Sequence, residues 1–415
     1  MSFPQFTSAE NLTFSANLQE DVDRFSELTT AFLGFRKDIG SLLKQLLQDA
    51  PEMPMALCVK GYIAKMIVSA SHSARAIGIS QKLEAVITIH GVNDRERLHA
   101  KALDEWCKGE LVRATECWEK ILVDYPLDSL ALRLAHYLHF YSGNAGNMRD
   151  SVARVLSSWS ESQPNYGFVV GMYAFGLEES GEYDTAEIYG RKAVERNPAD
   201  TWSVHAVAHV MEMTGRRAEG ISWVNSLSDN WLSVNNFRYH LYWHLALFYL
   251  ENGDTETVLQ LYDTQVGSDI TADFNLDMCN AASLLWRLEM YGVNVGERWQ
   301  GLIETAENHI TDHELVFVSL HYYLALLAAN ENRSSDRLYN SLKSWAAGTD
   351  TQSYVCMEVG MGLAKGIQLA RSKKFAAAIE AINKCKKDMA LIGGSHAQRN
   401  LFELVLADSG KKLGY

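Results

Sequence analysis

The stretch LHAKALDEWCKGELVRATECWEKILVDYPLDS, residues 98–129, contains the signals of two consecutive helices and of the turn between them. Gly109 interrupts an apolar helical pattern, and glycine commonly ends helices because it adopts positive φ angles without steric cost. Ala114 and Trp118 follow one turn apart on the next helix, where the small alanine allows a close helix crossing. Pro126 then stops that helix, because proline cannot continue its hydrogen bonds. The stretch therefore predicts a helical hairpin.

The same order of residues returns in YGFVVGMYAFGLEESGEYDTAEIYGRKAVERNPAD, residues 166–200, with Gly181, Ala186 and Pro198 at the corresponding offsets. Turn glycines with separations of 34, 38, 34, 38 and 39 residues mark six helical pairs between about residues 95 and 310. They are Gly109, Gly143, Gly181, Gly215, Gly253 and Gly292. One pair cannot bury its apolar face alone, so neighbouring pairs must stack.

This period and punctuation resemble the tetratricopeptide repeat. We therefore predict an all-α fold in which tetratricopeptide-like helical-hairpin repeats form a right-handed superhelix, an α-solenoid. The predicted organisation is an N-terminal helical cap over residues 1–94, the repeats over 95–310, and degenerate repeats with a C-terminal capping helix over 311–415. Alternating strand patterns are few, so sheets are not expected.

The composition limits the expected partners and location. The chain has 38 Lys plus Arg against 51 Asp plus Glu, a net charge of −13, and it lacks a basic run. We therefore do not expect it to bind nucleic acid. The N-terminal residues lack the pattern of a signal peptide, and no stretch of about 18 apolar residues could span a bilayer. The cysteines form no CxxC pair. We expect a cytoplasmic protein that does not associate with membranes.

Candidate functional residues lie in VHAVAHVMEMTG, residues 204–215. His205, His209 and Glu212 are spaced i, i+4 and i+7, which places them on one side of a helix. If the turn glycine is position 15 of the repeat, they occupy positions 5, 9 and 12. Those positions face the concave surface in this architecture. The three side chains are candidates for general acid–base catalysis or for metal binding.

Neighbouring repeats add further polar and aromatic side chains to this surface. The stretch RYHLYWHLALFYLENG repeats the i, i+4 pair with His240 and His244. The same numbering places His240 in the groove and His244 at its edge. Phe175 and Glu178 take groove positions in the repeat before His205. These side chains are candidates to bind a small molecule or the end of a peptide.

Three interpretations of the histidines remain open. Imidazole and carboxylate ligands together suit a divalent metal such as Zn, Fe or Mn. The predicted ligand set is His205, His209, Glu212, His240 and His244. Alternatively, the same side chains form a polar groove without metal. HxxxH pairs are also common in packed helices, so purely structural histidines are the third interpretation.

Several longer stretches resemble the tetratricopeptide repeat protein 38 family. They include YGFVVGMYAFGLEESGEYDTAE, WSVHAVAHVMEMTGR, LYWHLALFYLENGD and IGGSHAQRNLF, and the likeness runs in register from about residue 95 to the C-terminus. The resemblance implies an all-α repeat fold. It also implies that His321, His396 and Arg399 belong to the same pattern as the groove histidines. It implies no particular activity or substrate.

The segment GGSHAQR begins the predicted C-terminal helix. Helix N-termini attract anions, and Arg399 could hold a carboxylate bidentately beside His396. The alternative is an ordinary N-cap by Ser395.

Three functions fit these patterns. The first is a repeat protein that binds a small polar or anionic ligand in a His/Glu-lined concave pocket, with catalysis as an extension. The second is a metal-dependent or histidine-based hydrolase-type enzyme that acts on a small molecule. The third is a protein–protein interaction scaffold. Catalysis requires an array curled strongly enough to bring the C-terminal helix near the histidines. Exposed solenoid ends could permit a homodimer.

Overall fold

The computed structural model describes residues 2–414, and helices account for most of that range. The two strands are β1 (Gln5–Thr7) and β2 (Thr13–Ser15). The α-helices are α1 (Gln19–Leu33), α2 (Ile39–Asp49), α3 (Pro54–Met66), α4 (Ala70–His90), α5 (Asp94–Cys107), α6 (Leu111–Asp124), α7 (Ser129–Tyr141), α8 (Ala145–Leu156), α9 (Tyr166–Glu179), α10 (Tyr183–Arg196), α11 (Thr201–Met213), α12 (Arg217–Leu227), α13 (Phe237–Glu251), α14 (Thr255–Leu261), α15 (Asn275–Met290), α16 (Ile303–Asn308), α17 (Val316–Ala328), α18 (Asn332–Trp345), α19 (Thr351–Val355), α20 (Met361–Arg371), α21 (Phe375–Cys385) and α22 (His396–Lys412). Within residues 2–414, no helix combines the length and apolar character that a bilayer span requires.

Six helical hairpins follow one another from α5 to α16. In the first five, the two helices pack directly on each other, and in the sixth α15 packs on a 3-10 segment that precedes α16. All six turn glycines have positive φ angles, from 65° at Gly143 to 82° at Gly181. A side chain is disfavoured in that conformation, which explains why the repeat is punctuated by glycine. The predicted all-α fold of tetratricopeptide-like hairpins is confirmed.

Two further hairpins, α17–α18 and α20–α21, lack the turn glycine. Asn330 and Lys373 occupy the corresponding turns, with φ angles of 63° and 59°. Asparagine tolerates the left-handed region better than most residues, whereas lysine adopts it at a cost. The turn geometry is therefore kept although the sequence signal is lost.

A small antiparallel sheet is present, although the sequence predicted none. Its strands are only three residues long, and Phe6 pairs with Phe14 in the register. The backbone N–H of Ser15 donates to Glu96 Oε1 at 2.8 Å, so the hairpin is attached to α5. Strands this short leave no alternating pattern that could be recognised in a sequence.

The array curls until the N-terminal helices contact its later repeats. Lys65 of α3 forms an ion pair with Glu314. The backbone N–H of Ala70, the first residue of α4, donates to Asp312 Oδ1 at 3.1 Å. These contacts bring α3 and α4 against the segment between α16 and α17.

The loops that join the helices of the first two hairpins, at Gly109 and Gly143, also contact the C-terminal part of the array. The N–H of Thr351 donates to the carbonyl of Gly109 at 3.2 Å. Gly143 lies so close to Ala390 that a Cβ atom would overlap the carbonyl of Ala390. The inner side of the array is therefore an enclosed interior.

Candidate functional site: four histidines beside a cavity

Four histidine side chains from two neighbouring inner helices converge inside the array. His205 and His209 belong to α11, and His240 and His244 belong to α13. Each offers a ring nitrogen that lies within 4.8 Å of those of the other three. All four side chains are buried, with exposed fractions of 0–2 %. The i, i+4 spacing puts each pair on one face of its helix, and the packing of α11 on α13 brings the two faces together.

The Nδ1 atoms of two of these rings are hydrogen-bonded to side-chain oxygens. Nδ1 of His240 donates to Asn280 Oδ1 at 2.9 Å, and Nδ1 of His244 donates to Glu212 Oε2 at 2.8 Å. Nδ1 of His209 lies 3.4 Å from Glu178 Oε2 without a hydrogen bond. The Nε2 lone pairs of His240 and His244 therefore point into the cluster.

The inward nitrogens have almost no hydrogen-bond partners. Nε2 of His205 lies 3.0 Å from Nε2 of His240. Nε2 of His209 and Nε2 of His244 have none within residues 2–414. Unpartnered buried polar atoms are unfavourable. A tetrahedral metal with bonds of about 2.0–2.1 Å needs ligand nitrogens about 3.3 Å apart, close to the His205–His240 distance.

Burial keeps the histidines neutral. Desolvation lowers the pKa of His205, His240 and His244 well below the ordinary histidine value, and the neighbouring imidazoles lower it further. Desolvation also lowers the pKa of His209, although nearby carboxylates partly oppose the shift. Neutral imidazole is the form that coordinates metals.

Two adjacent acids from α9 lie on the far side of His209. Glu178 is 0 % exposed, and neither of its carboxyl oxygens has a hydrogen-bond partner within the described chain. Burial raises the pKa of Glu178 to about 8. Burial also raises the pKa of Glu179. At neutral pH, Glu178 is therefore predominantly protonated.

The start of α22 packs against these acids. The N–H of His396 donates to Glu179 Oε1 at 3.0 Å, and Arg399 Nη2 lies 3.5 Å from Glu179 Oε2. Ser395 caps the helix, because its hydroxyl accepts the N–H of Gln398 at 3.2 Å. Arg399 thus faces a carboxylate of the protein itself, and the C-terminal helix lies near the histidines as an enclosed site requires.

A cavity of about 190 Å³ adjoins the cluster on the side of the N-terminal helices. His205 and His240 reach its wall, and aromatic rings that include Phe35, Trp202 and Phe237 form much of the remaining surface. None of the described residues that line it is acidic. The lining is thus mostly apolar and aromatic, and its polar side chains include the imidazoles of His136, His205 and His240 and the guanidinium of Arg133.

Other predicted site residues occupy different places. His244, predicted at the groove edge, lies inside the cluster. Phe175 is buried with its ring centroid 5.0 Å from that of His205, so it supports the cluster instead of facing the cavity. His321 lies apart, where its Nδ1 donates to the carbonyl of Phe317 at 2.8 Å.

Several residues at the site were not among the predicted ones, and two of them are polar side chains with distinct roles. Asn280 holds His240, and Arg133 of α7 lines the cavity. Counted from Gly143, Arg133 is at position 5 of its repeat, the groove position that His205 occupies. The repeat numbering could therefore have found Arg133.

No protein-family model matches the chain. The chain is similar to Rap protein in complex with Competence and Sporulation Factor, with a TM-score of 0.41 and 11 % identity over 73 % of this chain and 99 % of that one. It is also similar to the human IFIT1 dimer with m7Gppp-AAAA, with a TM-score of 0.43 and 14 % identity over 95 % of this chain and 87 % of that one.

A third similar structure is Naa15/Naa10 bound to HypK-THB, with a TM-score of 0.24 and 11 % identity over 89 % of this chain and 63 % of that one. At these levels the likenesses carry no information on function. The tetratricopeptide-type fold rests on the hairpins and turn glycines of the chain itself, and the narrower resemblance to the tetratricopeptide repeat protein 38 family stays a prediction.

Proposed function

We propose that this repeat protein binds a transition-metal ion through His205, His209, His240 and His244 and holds a small ligand in the adjoining cavity. One observation carries the proposal. The Nδ1 atoms of His240 and His244 are held by Asn280 and Glu212. The Nε2 atoms of His209 and His244 converge on the cluster without a hydrogen-bond partner within residues 2–414. An oxygen acceptor behind a histidine is the usual arrangement around a protein-bound metal, because it fixes the tautomer and the ring orientation.

The donor set narrows the choice among the expected metals. Four imidazoles suit Zn or Fe better than Mn, which favours oxygen ligands. Glu212 was a predicted ligand, but its carboxylate engages the Nδ1 atom of His244. We therefore propose that Glu212 orients His244 from outside the ligand set.

The ligand reaches the metal from the cavity. Only His205 and His240 of the four histidines line it, so an additional metal ligand would enter between these two rings. The enclosed volume of about 190 Å³ fits a small molecule better than the end of a peptide. The expected cytoplasmic location, the homodimer and the scaffold role stay predictions.

Metal-dependent chemistry on the ligand is a second candidate function, in line with the predicted hydrolase-type enzyme. The position of His205 and His240 at the cavity wall favours it, because a metal that these rings hold would lie beside the bound ligand. A metal in a water-poor site polarises bound carbonyl oxygens.

Metal analysis of the purified protein tests the proposal. The protein is prepared without a nickel column, incubated with Zn²⁺, Fe²⁺ or Mn²⁺, desalted, and analysed by inductively coupled plasma mass spectrometry. We expect about one metal ion per chain in the wild type and in His72→Ala, since His72 bonds to Ser69 outside the cluster. A double variant, His209→Ala with His240→Ala, should lose most of the metal. A wild-type protein that takes up none of these ions contradicts the proposal.

A further inference from the structure

Arg133 is a buried cation that lines the cavity without a hydrogen-bonded or ion-paired partner in the described chain. Arg133 is only 5 % exposed. Its guanidinium forms no hydrogen bond or ion pair with any residue between 2 and 414. The carboxylate of Asp200 attracts the Arg133 charge only from a distance. Its oxygens accept hydrogen bonds from the Ser203 hydroxyl and from backbone N–H groups instead. Buried arginines are almost always paired, so the missing partner points to a ligand.

Two aromatic rings cover the faces of the Arg133 guanidinium. Its Cζ atom lies 4.7 Å from the ring centroid of Phe35 and 4.2 Å from that of Trp202. Stacking leaves the N–H groups free in the plane of the guanidinium, where a carboxylate binds bidentately. Desolvation lowers the pKa of Arg133 to about 10, so the group stays charged at neutral pH.

The backbone holds Phe35 over Arg133 at a conformational cost. Phe35 has a φ angle of 52°, which bulky residues rarely adopt. Its carbonyl accepts the N–H of Asn235 at 2.7 Å, and Lys37 N–H donates to Ser233 at 2.9 Å. The loop after α1 is thereby fixed to the segment before α13. Strain that the surrounding structure maintains is characteristic of functional sites.

We infer that the cavity selects a small apolar molecule with one carboxylate, which pairs with Arg133 while the apolar body packs against the aromatic rings. The inference rests on the proposed ligand-binding function but not on the metal. A cavity of about 150 Å³ holds a benzene molecule, so about 190 Å³ leaves room for one ring with a short side chain. None of the described lining residues is acidic, so no carboxylate of the wall would repel a bound anion.

Binding of two matched probes tests the inference. The probes are 3-phenylpropanoate and its neutral amide, 3-phenylpropanamide, which have nearly the same shape. Isothermal titration calorimetry should give an affinity at least about tenfold higher for the carboxylate, because a charged hydrogen-bonded pair replaces a neutral contact. Arg133→Met should remove the preference.

The control is Arg191→Met, which removes an arginine that stacks on Trp223 at 4.9 Å but lies at the surface. This variant should keep the wild-type preference. Circular dichroism establishes that each variant is folded, and Arg133→Lys, which keeps the charge, should retain part of the preference if Arg133→Met does not fold.

The same titrations separate this inference from the metal proposal. The wild-type comparison is repeated after metal has been removed with a chelator. A preference that persists supports the role of Arg133 even if the metal proposal fails. Equal affinities for the two probes, or no binding of either probe by the wild type, would overturn the inference.

Discussion

The Nε2 atoms of His205 and His240 lie 3.0 Å apart across two neighbouring helices. Because His240 donates its Nδ1 proton to Asn280, its Nε2 atom must accept, and His205 must donate. Nδ1 of His205 then lacks a partner, as the structure shows. One amide side chain thus determines the protonation of two rings.

Replacing Asn280 should weaken metal binding. In Asn280→Ala, His240 loses the acceptor that fixes its tautomer, and we expect metal affinity to fall about 10–100-fold. Competition with a chromophoric Zn²⁺ chelator measures the change. Asn236→Ala is the matched control, because Asn236 bonds to Asp277 at 2.6 Å and contacts no histidine of the cluster. Unchanged affinity in Asn280→Ala would contradict the prediction.

Stability should depend on pH through His309. This side chain bonds to Asp312 at 2.6 Å and to Asp273 at 2.7 Å, and its ring stacks on Tyr322. Burial alone would lower the pKa of His309, but the two carboxylates raise it above the ordinary value.

The stabilisation by His309 is therefore complete below about pH 6.5, the unfolded-state pKa, and is lost as the pH rises through the folded-state pKa. Urea unfolding across this range should show a decline in the free energy of unfolding. The decline should be smaller in His309→Gln. An identical pH profile in this variant would show that other groups cause it.

Removing the charge of Asp128 should destabilise the fold strongly. Its carboxylate accepts from Arg95 at 2.7 Å and lies 3.1 Å from His99 Nε2, and the Arg95 and Asp128 side chains are each 2 % exposed. Asp128→Asn keeps the helix cap on α7 but leaves the buried charge of Arg95 unpaired, at a cost of about 3–5 kcal/mol. Guanidinium unfolding measures the loss. Asp254→Asn, an exposed helix cap without an ion pair, should change little.

Two turn glycines should respond differently to alanine. Gly143 and Gly181 both have positive φ angles, but a Cβ at Gly143 would overlap the backbone of Ala390, whereas a Cβ at Gly181 meets no atom within 4 Å. Gly181→Ala should cost about 1–2 kcal/mol from backbone strain. Gly143→Ala should cost more, because the backbone at Ala390 must also move. Equal losses in thermal unfolding would show that the contact is unimportant.

The sequence predicted the repeats because glycine at each turn is a local requirement. The turns at Asn330 and Lys373 carried a weaker signal, since other residues adopt the same φ angle there. The closure of the array was not predictable, because contacts such as Lys65 with Glu314 join residues that are 249 positions apart. Such pairs leave no periodic pattern.

The histidines of the site were predictable, because helical spacing and repeat position are both local properties. His244 was placed too far out, since repeat numbering does not show how closely α11 and α13 pack on each other. Phe35 could not have been predicted, because it belongs to the loop after α1 and reaches the cavity only through the closure. Arg133 could have been found at its repeat position.

The contacts between the N-terminal helices and the later repeats also limit how this architecture can evolve. An open solenoid lengthens by tandem duplication, since each added unit needs only its neighbours. Here an extra unit inserted between residues 143 and 314 would separate Lys65 from Glu314 and Gly143 from Ala390. The number of repeats inside the closed part of the array is therefore constrained by geometry, as the number of strands is in a closed barrel, and change there proceeds by substitution within the existing units.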